Sequence, residues 1–311
     1  MRRLRGNRVA IAAGVVFVLL VLVCTAGAPL WVHLVSHHGP EYENLSGSIS
    51  IGGSSVPVVA DDGTPIGPGW RSQYLLGADA NGRDLLVLAL YGGRTSLVIG
   101  IASAVVCMAL AVALALLAGY RRGFTDALIS RFLDLLWSFP VYLLAVAIAT
   151  VLAVDGLAIG PLRVSSSSIA IPILVIAIVY VPYAARPLRG EVLALREREF
   201  VEASVAHGAG PLRTMVSSLL PNILSTALVL FTLIIANNIL TEAALSYLGV
   251  GVPLTTPSWG NIIEAGSSTI VTAPWLTIVP GLLIVVAAVS LNVLGDGLRD
   301  ALDPRGATRS R

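Results

Sequence analysis

Six long apolar stretches, separated by polar connections, set the pattern of this chain. They fall near Val9–Val32, Leu97–Ala118, Leu133–Val154, Ile169–Ala185, Ile223–Leu245 and Trp275–Leu294. Each approaches the roughly 20 residues needed for a helix to cross a bilayer, and runs of that length are not core strands. The pattern predicts an all-α polytopic membrane protein with six transmembrane helices. Between the fourth and fifth stretches lies the longest Arg-rich polar interruption of the C-terminal half, residues 196–222. It reads as two short helices broken at His207-Gly208-Ala209-Gly210-Pro211. The first, Glu197 to Ala206, is weakly amphipathic, with Phe200, Val201, Ser204 and Val205 on one side. Gly208 and Gly210 permit a positive φ, and Pro211 suits a first helical turn.

Composition agrees with this. The 311 residues are 56% hydrophobic and 12% charged, with a mean hydropathy of +0.84, far from soluble averages. All the positive charge is arginine. Most of it sits at the termini and in the second and fourth connections: Arg2, Arg3, Arg5, Arg8; Arg121, Arg122, Arg131; Arg186, Arg189, Arg196, Arg198, Arg213; Arg299, Arg305, Arg309, Arg311. The opposite side has Arg71, Arg83, Arg94 and Arg163. Positive-inside bias puts both termini and residues 196–222 in the cytoplasm, and an even number of spans agrees. Topology accounts for these arginines, so the net charge of +2 is no signal for nucleic acid. A phosphate-binding G-x-x-x-x-G-K-[ST] loop requires a lysine, so nucleotide hydrolysis is not expected of this chain.

The basic N-terminus and Ala26-Gly27-Ala28 have the look of a signal peptide, but the apolar run exceeds a signal h-region and an uncleaved first helix is expected. Val21-Leu22-Val23-Cys24 is a poor lipoprotein box. Cys24 and Cys107 lie in separate spans and read as packed thiols. The segment after the first span is rich in Gly, Ser, Pro and Asp, suggesting turns and a short strand at Val56–Ala60 without a hydrophobic core of its own. His33, His37 and His38 are the one grouping suggestive of a metal; a solvated loop is the plainer reading. In the fifth stretch, Asn237, Asn238 and Glu242 are polar groups at membrane depth, which usually face a bundle interior or a water-filled path. They are expected to line a translocation path or a subunit interface, unless Glu242 lies near the external end and is solvated.

Several strings resemble the dipeptide, oligopeptide and nickel ABC importer permease family. Glu202-Ala203-Ser204, then Gly208, then Leu220-Pro221 resembles its EAA loop, with Ser204 in place of the second alanine and Ser218 in place of isoleucine. Leu76-Gly77-Ala78-Asp79-Ala80-Asn81-Gly82-Arg83-Asp84 through Arg94-Thr95-Ser96-Leu97 is similar to the string that opens the permease domain. Asp84 could pair with Arg94 across a short amphipathic helix, or Asp79 or Asn81 could simply cap it. Gly119-Tyr120, Asp126, Arg131 and Asp134 resemble the next connection. There Asp134 reads either as favouring a helix dipole near a helix start or as a residue of transport, the former preferred. Leu245-Ser246-Tyr247-Leu248-Gly249, Thr256-Pro257-Ser258-Trp259-Gly260, Ala273-Pro274-Trp275 and Asn292-Val293-Leu294-Gly295-Asp296-Gly297-Leu298-Arg299-Asp300-Ala301-Leu302-Asp303-Pro304-Arg305 closely resemble the C-type subunit.

The resemblance implies a type I ABC importer permease fold. Its domains would be residues 1–32 (tail and first helix), 33–75 (extracytoplasmic loop), 76–305 (permease domain) and 306–311 (tail). It implies a non-catalytic subunit of the bacterial inner membrane that carries dipeptides or oligopeptides, or nickel or another small solute. Implied partners are a second homologous permease, two ATPase subunits that bind ATP and Mg2+, an extracytoplasmic solute-binding protein, the peptide and the lipid bilayer; no cofactor or metal is implied in this chain. Glu202, Ala203, Ser204, Gly208 and Pro221 would couple to the ATPases. An ion-coupled secondary transporter is the rival class, but leaves the EAA-like loop without a role. A membrane enzyme is weaker, for want of a catalytic His, Cys or metal set.

Overall fold

The computed structural model describes residues 7–71, 73–159 and 162–302. Arg2, Arg3, Arg5 and the stretch from Asp303 to Arg311, with the 306–311 tail, lie outside the described residues. Helix α1 covers Arg8–Ser36, α2 Leu85–Arg121, α3 Gly123–Trp137, α4 Val141–Asp155, α5 Ala170–Arg196, α6 Glu199–Ala206, α7 Pro211–Tyr247, α8 Trp259–Ser267 and α9 Trp275–Leu302. Five of these are long and apolar enough to cross a membrane: α1, α2, α5, α7 and α9.

The third expected span is the exception. Leu133–Val154 is no single rod, because Pro140 has no N–H to donate and α3 ends at Trp137. Helices α3 and α4 meet at 92°. With 15 residues, α4 reaches about 22 Å at 1.5 Å per residue, short of a full hydrocarbon thickness. The sixth crossing is therefore a broken one, counted as a span only with α3 and α4 together.

The bundle core lies where α2 meets α5 and α7. Gly119 lets these backbones approach, since a Cβ there would come within 2.6 Å of the Val192 side chain on α5. Leu97, Ile99, Val175, Ile176, Ile239 and Leu245 are all but completely buried between the helices. Helix α1 runs along α9, with Ala10 against Gly297 and Gly14 against Leu294. Its outer residues Val9, Val18, Leu19 and Leu22 are more than half exposed. On a helix of this hydropathy such a face is dissolved in lipid, as the sequence pattern requires. Both cysteines are free and buried; Cys24 Sγ sits against Gly93 of α2.

The segment after α1 differs from expectation. It forms an antiparallel hairpin, β1 Ser48–Ile51 and β2 Ser54–Pro57. The strand thus begins and ends earlier than Val56–Ala60. Gly52 and Gly53, at φ +59° and +88°, make its two-residue turn. A small core does exist there: Val58, Tyr74 and Ala78 are buried, with Ile49, Val59 and Ile66 packed on them. Ala78 belongs to this cluster, and Tyr74 N–H donates to Asp84 Oδ2 at 2.9 Å. A second hairpin, β3 Leu157–Ile159 and β4 Leu162–Val164, joins α4 to α5.

Candidate functional site

Residues 197–210 connect α5 to α7. Arg198, extended at φ −90° and ψ 145°, precedes α6, and Gly208 at φ +82° turns the chain out of it. Within α6, Val201 is buried (2% exposed) and holds the helix against the Met215–Leu219–Ile223 cluster of α7. The rest of the helix is largely open: Glu202, Ala203, Val205 and Ala206 are exposed, as are Gly208 and, on α7, Pro221. Beside it lies a groove of about 560 Å³ lined by Tyr120, Arg122, Arg196, Glu197, Glu202 and Val205 among others. Arg122 pairs with Glu197, and the Arg196 guanidinium lies 5.6 Å from the centre of the Tyr120 ring.

Two expectations here need amending. Glu197 is outside α6, and there is no second short helix. From Pro211 the chain runs as one 37-residue helix to Tyr247, with π-type turns at Thr214–Leu219. Pro221 is tolerated near the end of that irregular stretch. Ser204 and Ser218, the two departures from the EAA pattern, meet each other: Ser218 Oγ donates to Ser204 Oγ at 3.3 Å. Neither serine alone suggests this, but their paired departure does.

Helix α3 is tied beside this groove by charge. Arg189 of α5 grips Asp126 through two bonds, at 2.5 and 2.7 Å, and Arg186 pairs with Asp134 while lying 4.6 Å over the Trp137 ring. Asp134 is therefore in the last turn of α3, not at a helix start. The helix dipole disfavours a carboxylate there, and the arginine compensates.

The polar residues of α7 are distributed unlike the expected path-lining face. Asn237 is exposed, whereas Asn238 and Glu242 are each 0% exposed, enclosed by this chain's own helices. Asn238 accepts from Ser103 Oγ at 2.8 Å and Ala104 N–H at 3.1 Å of α2, and donates to Ile234 O at 3.1 Å. Glu242 Oε1 accepts from Ser246 Oγ at 2.8 Å. The Ser96 and Ser258 hydroxyls also stand beside its carboxylate, while Oε2 lacks a protein partner among the described residues. Solvent does not reach Glu242, so the solvated alternative fails too. Its neighbours were missed in the sequence: Ser258 caps α8 by accepting from Asn261 N–H at 3.2 Å, and the buried Trp259 donates from its ring to Ala89 O at 3.0 Å and from its backbone to Ser96 Oγ at 3.1 Å. The Ser-Trp-Gly string belongs to a helix start, which a cap followed by an apolar residue could have signalled.

At the start of α2, Asp84 caps the helix by accepting from Leu86 N–H at 2.9 Å. Burial pushes its carboxyl above the usual carboxylate range, against the pull of the Tyr74 and Leu86 N–H groups. No Asp84–Arg94 pair forms; Asp79 instead binds Arg83 at 2.7 Å and the N–H groups of Asn81 and Arg83 at 3.0 and 2.8 Å. The short helix expected here is simply the first turns of α2. His33, His37 and His38 do not converge. His38 stacks on Tyr42 at 3.8 Å, His37 adopts φ +56° at the end of α1, and no group of three or more His, Cys, Asp or Glu is placed to share a metal among the described residues.

Relatives place this architecture. The chain is 36% identical over 94% of its length, and 87% of the relative's, to the di/tripeptide transport system permease protein DppC of Pseudomonas aeruginosa. It is 40% identical over 75% of its length and 74% of the relative's to a putative peptide transport system permease protein of Brucella suis. It is 34% identical over 98% of its length and 89% of the relative's to the glutathione transport system permease protein GsiD of Pectobacterium atrosepticum. Among solved structures, the MetNI methionine ABC transporter in an inward-facing conformation superposes with a TM-score of 0.55 at 20% identity, covering 70% of this chain and 98% of that one. That likeness supports the type I permease fold. Residues 111–307 match the family described as the binding-protein-dependent transport system inner membrane component, and the chain belongs to that family of multi-pass importer permeases.

Proposed function

We propose that this chain is the permease subunit of an ATP-driven importer of dipeptides or oligopeptides. One observation carries the coupling part of the reading: α6 is anchored to α7 through buried Val201 while Glu202, Ala203, Val205 and Ala206 stay exposed beside a groove. A helix so braced can transmit a push, and an amphipathic helix in a groove is a common docking mode. The relatives named for peptide and glutathione transport support the substrate class. In this reading two cytoplasmic ATPase subunits bind ATP and Mg2+ and dock on Glu202, Ala203, Ser204 and Gly208, with Pro221 supporting the turn. A second homologous permease completes the path, and an extracytoplasmic binding protein delivers the peptide. Both termini face the cytoplasm. Asn237, exposed on α7, stays a candidate for the path or the permease interface; Asn238 and Glu242 brace the bundle behind it.

The test is Glu202→Arg in the reconstituted complex. Glu202 is exposed, so the variant should insert and fold, yet ATP-driven peptide uptake should fall at least tenfold while the ATPases bind less tightly. Uptake at wild-type rate would remove Glu202 from coupling. Uptake driven by an ion gradient without ATP would overturn the importer reading and favour a secondary transporter, and accumulation of nickel in place of peptide would replace the substrate.

A further inference from the structure

Helix α3 turns its apolar side chains outward and its carboxylates towards the protein. Asp126, Ile129, Ser130 and Leu133 share one helix face. There Arg189 grips Asp126, Ser130 Oγ donates to Asp126 Oδ1 at 3.3 Å, and Leu133 is buried. The opposite face, at spacings i, i+4, i+8 and i+11, shows Phe124, Leu128, Phe132 and Leu135, each at least half exposed. In the middle of that stripe stands Arg131, also exposed and in no ion pair among the described residues. Asp134, three residues on, is taken by Arg186. Because α4 packs on α5, the 92° bend at Pro140 sets α3 across the bundle. Beyond the bend α4 repeats the pattern, with Leu143, Val151 and Val154 all more than 60% exposed. The hydroxyl on that side, Thr150, is satisfied within the helix by Val146 O at 2.7 Å.

We infer that α3 lies in the interfacial layer of the bilayer, where Arg131 holds the phosphate of an anionic phospholipid and Phe124, Leu128, Phe132 and Leu135 sit in its acyl chains. Three features select lipid over a protein partner. Helix contacts between subunits in a membrane favour small residues that let backbones approach, and this stripe is built of large ones. Protein interfaces carry about one hydrogen bond per 100–200 Å², yet apart from Arg131 the stripe offers no side-chain donor or acceptor. An arginine alone on an apolar face is the arrangement of an interfacial helix. Its stem lies along hydrocarbon while the guanidinium reaches a headgroup and forks onto a phosphate. The Arg189–Asp126 and Arg186–Asp134 pairs hold α3 from the protein side, and the lipid completes the other.

Two measurements on the complete transporter in lipid nanodiscs test this. First, a nitroxide is attached at Leu128→Cys; native Cys24 and Cys107 are buried, and unsubstituted protein taken through the same labelling sets the background. Collisions with oxygen, which dissolves in hydrocarbon, should exceed those with water-soluble chromium oxalate. Few collisions with either would mean that protein covers the stripe, and frequent collisions with the oxalate that it faces water; both results overturn the inference. Second, phosphatidylglycerol and phosphatidylcholine carrying the same diazirine acyl chain are crosslinked by light, and adducts on residues 123–137 are compared by mass spectrometry. The wild type should favour phosphatidylglycerol about fivefold, the weight of one arginine near the surface. Arg131→Gln should bring the ratio close to one, Arg131→Lys should keep most of the preference, and adducts on residues 141–154 should be alike in all three. A ratio near one in the wild type, or an undiminished ratio in Arg131→Gln, would refute the phosphate contact. Neither measurement requires uptake, so both hold whatever the solute.

Discussion

Gly208 and Gly210 stand two residues apart in the turn between α6 and α7, and neither would meet any atom within 4 Å if given a Cβ. Crowding therefore cannot distinguish them, but backbone conformation can. Gly208 has φ +82°, where a Cβ costs about 1–2 kcal/mol. Gly210, at φ −69° and ψ 165°, sits where any residue fits, and replacing a glycine there also lowers the entropy of the unfolded turn. Gly208→Ala should thus shift the turn's conformational equilibrium by about 5- to 30-fold against the present geometry, whereas Gly210→Ala should be neutral or slightly stabilising. Amide hydrogen exchange over residues 199–214 in nanodiscs reads the shift directly, and ATP-driven uptake reads its consequence. Faster exchange with reduced coupling in Gly208→Ala, and neither in Gly210→Ala, is expected. Equal behaviour of the two variants would refute the argument that the positive φ fixes the exit from α6.

Three further outcomes are expected. Asp126→Arg, which places two cations where a bidentate pair now stands, should lower the melting temperature of the solubilised protein, and Arg189→Asp in the same chain should restore part of the loss; the double variant behaving no better than the single one would mean the pair does not tie α3 to α5. Asn238→Leu should cost about 0.5–1.5 kcal/mol, since its buried bonds to the Ser103 hydroxyl and the Ile234 carbonyl are lost, with Asn237→Leu close to neutral in the same thermal assay. Ser258→Ala removes both the cap of α8 and a hydroxyl beside Glu242, and should cost about 0.5–2 kcal/mol; an unchanged melting temperature would show that the α7–α8 junction does not depend on it.

The spans were readable because their signal is local: about 20 apolar residues cannot be anything but a membrane helix, and α1, α2, α5, α7 and α9 lie over the expected stretches. The bend at Pro140 was less so. Hydropathy runs straight through Phe139-Pro140, and whether a proline kinks a helix or breaks it at 92° depends on what α3 packs against, here Arg186 and Arg189 from a distant part of the chain. The same reason hides Glu242's surroundings. Its place on α7 was clear, but Ser96 and Ser258 come from residues far away in sequence, and a polar residue in a span looks alike whether it faces water or three hydroxyls. At the turn between α6 and α7 the glycine geometry was legible at Gly208, because φ > 0 is a single-residue property. The continuity of α7 was not, because the polar residues Ser217, Ser218 and Asn222 look like loop although they are carried on helix.

That continuity has a mechanical consequence. At 1.5 Å per residue, the 37 residues of α7 make a rod of about 55 Å, with no glycine between Pro211 and Tyr247. One end carries the turn that holds α6, and the far end carries Glu242 and the wall onto which α8 is capped. Beyond the π-type turns at Thr214–Leu219 its remaining 28 residues, about 42 Å long, move as one: tilting them by about 5° displaces the tip by roughly 4 Å. A small rotation at one membrane face thus arrives at the other as a movement wide enough to reshape a cavity, with the leverage set by helix length alone.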